Sequence, residues 1–257
     1  MNKNRYFIEL AYNGTNFHGW QIQPNASTVQ EFLDKALSIY FRQTITSLGC
    51  GRTDAGVHAT QFYAHFDLVQ ATDAGISVDS LNLERAVTGL NSLLPYEISI
   101  KTIFEVGPDA HARFDASERA YHYYIHFHKD PFKLDRSWLF KGTLDLKAMN
   151  EAAIILLEYT DFSCFSKSNT QTFTNNCKIT EAQFEIHEEG LRFTIKADRF
   201  LRNMVRAIVG TLVRIGKNEI NLAEFKEIIA SKSRSNAGQS VPACGLYLVS
   251  VKYPYVK

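Results

Sequence analysis

The segment Gly49-Cys50-Gly51-Arg52-Thr53-Asp54-Ala55-Gly56-Val57-His58-Ala59 carries the residues most capable of chemistry in this chain. Glycines at 49, 51 and 56, set between two strand-like stretches, call for tight bending or the close approach of a ligand. One acid, Asp54, stands at the centre, flanked by Arg52, Thr53 and His58. A carboxylate facing a cleft acts as nucleophile or general base. The bland alternative is an aspartate that caps its own turn through side-chain hydrogen bonds. Neither G-x-G-x-x-G nor a following helix is present, so this is not a dinucleotide-binding fingerprint. Arg52 precedes Asp54 by two residues, so an extended backbone would aim both side chains to one side. His58 reads as a structural hydrogen-bonder.

The elements that must position this segment alternate between strand and helix periods. Arg5–Tyr12 alternates as a strand. Val29–Phe41 has one apolar helical face, with Ser27 or Thr28 as cap and Glu31 at the capping-box position. Strands are predicted over Thr44–Cys50, Thr60–Leu68 and Ile98–Val106, and a helix over Asp79–Leu94. After Gly107-Pro108 the rhythm restarts. Strands are expected near Ala120–His128, Ile179–His187, Leu191–Ala197 and Leu246–Tyr253. Helices are expected over Leu146–Tyr159, Phe200–Ile215 and Leu222–Ala230. The repeat of rhythm suggests an α+β chain of two related subdomains, 1–107 with the aspartate loop and 108–257 completing the site.

Composition excludes several classes. A hydrophobic content of 45% with 6 prolines describes a folded globule. No stretch is apolar enough to span a bilayer, and the N-terminus lacks a signal-peptide pattern, so a cytoplasmic protein is expected. Cys50, Cys164, Cys177 and Cys244 are scattered without metal spacing, so free thiols are expected rather than a zinc site or disulfides. The 28 basic and 27 acidic residues give +1, so any polyanion must be held by the distribution of charge rather than its excess.

The glycine-rich segment closely resembles the signature of the tRNA pseudouridine synthase A family. The resemblance extends along nearly the whole chain. It includes Tyr12-Asn13-Gly14-Thr15, Phe17-His18-Gly19-Trp20-Gln21, Gln23-Pro24-Asn25 and Thr28-Val29-Gln30. His111-Ala112-Arg113-Phe114 with Arg119-Ala120-Tyr121-His122-Tyr123 is similar to a second family motif, and Phe200-Leu201-Arg202-Asn203-Met204-Val205-Arg206 to a third. Ala243-Cys244-Gly245-Leu246-Tyr247-Leu248 resembles the closing strand. Two features depart from the pattern: the connection Val69–Asp79 is slightly long, and Cys244 replaces another residue type.

The resemblance implies Asp54 as the catalytic carboxylate that detaches uracil from its ribose before reattachment through C5. Tyr121 is the residue expected against the target base, because a uracil leaves its stack to react and aromatic faces receive flipped bases. Arg206, at the edge of the apolar stripe Met204, Val205, Ile208, Val209, Leu212 and Val213, is the expected partner of Asp54. Arg52 is expected at a phosphate or in the space left by the flipped base. Arg113, Arg119, Arg199 and Arg202 are expected RNA contacts, whereas Lys226, Lys232 and Arg234 read as solvated charges.

The expected fold is thus two related α+β subdomains, each a mainly antiparallel sheet with helices on one face, with an RNA-binding cleft between them. The resemblance further implies tRNA as substrate, clustered uridines of the anticodon stem-loop as targets, and a homodimer. No metal, cofactor or membrane partner is expected. Rival readings are a different RNA target, a non-catalytic RNA binder, and a hydrolase, which would need a second carboxylate.

Overall fold

The computed structural model describes residues 3–69, 82–167 and 173–256. It is a mixed α+β protein with mainly antiparallel strand pairings and, among the described residues, five α-helices. Backbone contacts divide it into two compact units. The first runs to Ser117 and regains the chain from Val249 onward, and the second is Glu118–Leu248. The boundary expected from sequence is at Gly107, just past a strand that ends at Val106.

In the first unit, β1 (Lys3–Tyr12) is followed by α1 (Val29–Phe41), β2 (Leu48–Gly49), β3 (His58–Val69), α2 (Leu83–Leu93) and β4 (Ile98–Val106). β1 pairs antiparallel with β3 on one side and β4 on the other. Alternation gives the sheet two apolar faces. Tyr6, Ile8 and Leu10 lie opposite Phe66, Ala64 and Phe62 on the first, where Phe41 of α1 also packs against Phe66. Phe7 on the other face meets His65, Tyr63 and the C-terminal Tyr253 and Tyr255.

α1 has the predicted bounds, and Thr28 caps it by accepting the Glu31 N–H. The strand predicted over Thr44–Cys50 contracts to Leu48–Gly49. Side chains supply the upstream backbone partners in place of a ladder. Ser38 Oγ accepts the Ile45 N–H at 3.0 Å, Asp34 Oδ1 accepts the Ser47 N–H at 2.9 Å, and Gln30 donates to the Ser47 carbonyl at 2.7 Å. The helix predicted from Asp79 is described only from Leu83, capped by Asn82. Its first predicted residues, and most of the Val69–Asp79 connection, fall outside the described residues.

Burial of the Asp34 carboxyl pushes its pKa up to about 6, against the two hydrogen bonds from Ser47. The folded state therefore holds this proton more tightly than the unfolded chain does. Stability contributed by the group is full below about pH 4 and is lost as pH rises to about 6. Asp34→Asn cannot titrate. The stability of the wild type relative to this variant, from urea unfolding at pH 4 to 7, is expected to fall across that window and level off above it.

In the second unit, β5 (Glu118–His126), β6 (Trp138–Leu139), α3 (Leu146–Ile155), β7 (Ile179–His187), β8 (Gly190–Ala197), α4 (Met204–Gly216) and α5 (Leu222–Ala230) follow in order. β9 (Leu246–Lys252) belongs to this unit through Leu248. β8 pairs antiparallel with β5 and β7, while β6 adds a short parallel pairing to β5. Tyr123, Ile125, Phe193, Ile195 and Phe184 form its apolar face. Asn150 of α3 clasps both backbone groups of Phe184, at 2.7 and 3.0 Å, and so ties helix to strand.

The helix predicted from Leu146 to Tyr159 is α3 followed by a 3-10 turn at Leu156–Glu158. The helix predicted from Phe200 begins only at Met204. Asn203 stands before it with a left-handed backbone (φ 67°), which an α-helix cannot continue through.

Candidate active site

Asp54 lies in the loop between β2 and β3, half-buried, with Arg52 exposed beside it. The loop closes on itself where the Val57 N–H donates to the Asp54 carbonyl at 3.2 Å, with Gly56 at φ 76°. This much was legible as a glycine turn. What holds the turn in place is a second segment, Tyr12–Trp20, which wraps it.

Four hydrogen bonds join the two segments. The Trp20 N–H donates to the Thr53 carbonyl at 3.4 Å, and the Gly56 N–H to the Phe17 carbonyl at 3.1 Å. The hydroxyls of Tyr12 and Thr53 meet at 3.0 Å. His58, fully buried, accepts the Gly14 N–H on Nδ1 at 3.0 Å. That bond makes His58 a structural hydrogen-bonder, as the sequence reading expected. Below the loop, Trp20 stacks on Phe62 with ring centres 4.2 Å apart, and Tyr12 packs on the same ring at 5.6 Å. The carboxylate is thereby mounted on a packed aromatic base, which limits the motion of its backbone.

Close approach makes two glycines obligatory. A Cβ on Gly14 would overlap the Val57 carbonyl oxygen. One on Gly19 would overlap the Thr53 carbonyl oxygen, and Gly19 is also left-handed at φ 87°. Tyr12, Gly14 and Gly19 were quoted from sequence only as part of a resemblance, and their positioning role was missed. The available signal was the pair of glycines spaced among aromatics in Tyr12–Trp20, a short connection ahead of the helix cap Thr28.

Tyr121 is half-buried on β5, opposite Ile195 of β8, at the end of the apolar face. Its ring stands nearly perpendicular to Phe200, with centres 5.1 Å apart. Arg119, two residues earlier, donates to the Asp198 carbonyl at 2.8 Å. The turn carrying Asp198, Arg199 and Phe200 therefore sits at the Arg119–Tyr121 end of β5. Because α4 starts at Met204, Arg199 and Arg202 lie outside the helix.

Arg206 is half-buried on α4, and Met204, Val205, Ile208, Val209, Leu212 and Val213 are buried as its stripe required. Its Nε donates to the Val241 carbonyl at 2.8 Å, and the Val241 N–H returns a bond to the Arg206 carbonyl at 3.3 Å. The segment bearing Val241 is fixed by Arg234. That guanidinium donates to the Gly238 carbonyl and to Ser240 Oγ, both at 3.0 Å. Ser240 Oγ also accepts from Asn203. Arg234 thus corrects its reading as a solvated charge, since it lies in a turn beyond α5 and takes its partners from the segment that follows. Arg234→Ala is expected to cost about 1–3 kcal/mol, the range for hydrogen bonds made by a charged group. Urea unfolding measures it.

Arg113, in the loop before β5, is exposed, with its guanidinium carbon 5.7 Å from the centre of the Phe114 ring. The four cysteines are free thiols: Cys50, Cys164 and Cys177 are buried and Cys244 is half-buried. Burial pushes the Cys164 and Cys177 thiols up to about 12, so both stay protonated and unreactive. Among the described residues no helix is long and apolar enough to cross a membrane.

The chain is similar to known proteins along nearly its whole length. A family profile described as tRNA pseudouridine synthase matches residues 152–254. A Bacteroides thetaiotaomicron protein named tRNA pseudouridine synthase A is 49% identical over 97% of this chain and 91% of its own. A Porphyromonas gingivalis protein of the same name is 50% identical over 97% of each chain. An Ehrlichia canis namesake is 36% identical over 97% of this chain and 100% of its own. Identity of this size, spread over nearly the full length, places the chain in the tRNA pseudouridine synthase A family of isomerases.

Proposed function

We propose that this protein converts uridine to pseudouridine in transfer RNA, at clustered uridines of the anticodon stem-loop. Asp54 is the nucleophile, or the base that starts the reaction. The N1–C1′ bond of the nucleoside breaks, the base turns, and a C5–C1′ bond forms. C5 releases its proton and N1 gains one, so the product is an isomer and the electron count is unchanged. A carboxylate serves either of two routes. It attacks C1′ to give an ester, as in a retaining glycosidase, or it removes a sugar proton to give a glycal.

Tyr121 stacks on the target uracil, while Arg52 and Arg206 bind the substrate. Arg113, Arg119, Arg199 and Arg202 contact the RNA, and each phosphate they neutralise adds about one unit to the salt dependence of binding. The protein works in the cytoplasm as a homodimer on one tRNA.

The observation that carries the reading is the fixed aspartate loop. A half-buried carboxylate on a turn held by a second segment is a preorganised reactive group. The names of the relatives support tRNA as the substrate class. The test is tritium release from tRNA labelled at C5 of uridine, since joining C5 to the sugar expels that hydrogen. Release in proportion to pseudouridine formed supports the reading. No release from folded protein on several tRNAs would sink it.

A further inference from the structure

Phe114 exposes 75% of its surface, on a loop whose backbone is tied down from several directions. Arg5 donates to the Ala110 carbonyl at 3.1 Å. The buried Ala112 gives its N–H to His65 Nδ1 at 3.1 Å and takes the Tyr253 hydroxyl on its carbonyl at 2.6 Å. Asp115 accepts the His111 N–H at 2.7 Å and the Tyr255 hydroxyl at 2.8 Å. His111 Nδ1 accepts the N–H groups of Arg113 and Phe114 itself, at 3.1 and 3.2 Å. By contrast, Phe132, 85% exposed, has its N–H bonded to Asp130, two residues away, in a local turn.

An exposed phenylalanine alone is ordinary. One presented by β1, β3 and the C-terminal tyrosines together is not explained by burial, because the ring they support remains in solvent. A relay of rings leads out to it. His65 lies 4.8 Å from His111, and His111 lies 4.3 Å from Phe114 at an interplanar angle of 31°. Both histidines use Nδ1 as acceptor, so both are neutral, and burial depresses both pKa values, that of His65 to about 4. The surface is therefore a stack of two neutral imidazoles and a phenyl ring, with the Arg113 guanidinium beside the outer ring and the Asp115 carboxylate and Arg5 guanidinium close to the histidines.

We propose that Phe114 is a stacking platform for an unpaired nucleobase of the RNA substrate, with Arg113 placed for the adjoining phosphate. This rests on the reading that the protein acts on RNA. A π-face with a neighbouring guanidinium matches a nucleotide, which carries a flat ring and a negative charge a few ångströms apart.

Phe114→Ala, Phe114→Leu and Phe114→Trp test it, with unmodified tRNA transcript as the probe. Loss of one stacked base by alanine substitution costs about 5- to 150-fold in affinity, the equivalent of 1–3 kcal/mol. The alanine and leucine variants are expected to show that rise in Kd, and a rise in KM larger than any fall in kcat, with unfolding midpoints held. The tryptophan variant is expected to retain affinity, and its added fluorescence to be quenched by tRNA beyond that of wild-type Trp20 and Trp138. Unchanged Kd in the alanine variant, or full rescue by leucine, would overturn the platform. So would a change in oligomeric state with Kd unaltered, which would make Phe114 a protein contact. Wild-type protein that neither binds tRNA nor releases tritium would instead remove the RNA reading itself.

Discussion

Asp54→Asn is expected to lower tritium release from uridine-labelled tRNA by on the order of 10⁴-fold or more, the size of loss seen when a reacting group is removed. Asparagine matches aspartate in volume but is neither a competent nucleophile nor a base for this reaction. The hydrogen bonds that hold the loop use main-chain groups of Thr53, Asp54, Gly56 and Val57, the Thr53 hydroxyl and the His58 ring. None of those groups is altered by the change, and the unfolding midpoint and tRNA affinity of the variant are measured beside its activity. That combination separates chemistry from folding. Activity within about tenfold of wild type, in well-folded variant protein, would remove Asp54 from the reaction. It would favour a binding protein or another carboxylate.

Gly19→Ala is expected to be the most damaging single-methyl change near the site. Two independent penalties coincide there. A left-handed backbone costs a non-glycine residue about 1–3 kcal/mol, and the new Cβ collides with the Thr53 carbonyl, which is main chain and cannot turn aside. The damage would spread in both directions. The Gly19 and Trp20 carbonyls accept the N–H groups of Val29 and Gln30 at 3.2 and 3.0 Å, closing the start of α1. The same Trp20 gives its N–H to the Asp54 loop. A loss of several kcal/mol in urea unfolding is expected, with tritium release falling further than the folded fraction accounts for. Gly51→Ala is the control. Gly51 lies closer to Asp54 in sequence, yet its Cβ would meet nothing within 4 Å, so its unfolding midpoint should hold. Equal stability for Gly19→Ala and Gly51→Ala would show that the wrapping segment does not fix the loop.

Local signals in the sequence were read well where the physics is local. α1 begins and ends at the predicted residues because its cap, its apolar stripe and its length all lie in one short stretch. β4, β7 and α5 also have the predicted bounds for that reason. The errors came where a side-chain hydrogen bond or a single backbone conformation outweighed the local pattern. Thr44–Ser47 has strand-like residues, but side chains of α1 reach its backbone first. Phe200–Asn203 has helical periodicity, but one left-handed residue breaks the register. Arg234 looks like any surface arginine until the return of the chain at Gly238 and Ser240 gives it acceptors.

The sequence by itself determined the family and the alternation of elements, and singled out the glycine-rich segment as the candidate site, because glycine spacing, apolar period and caps are properties of neighbouring residues. It could not assign the work of Tyr12–Trp20, since nothing in that stretch states which backbone its glycines must admit. Only the tertiary structure decided that Gly14 and Gly19 make room for Val57 and Thr53, and that His58 receives the Gly14 N–H. The same holds for the tyrosines that end the chain, whose hydroxyls brace the loop behind Phe114. Such contacts join residues 34 to 141 positions apart, and their partners are chosen by packing, which no local pattern encodes.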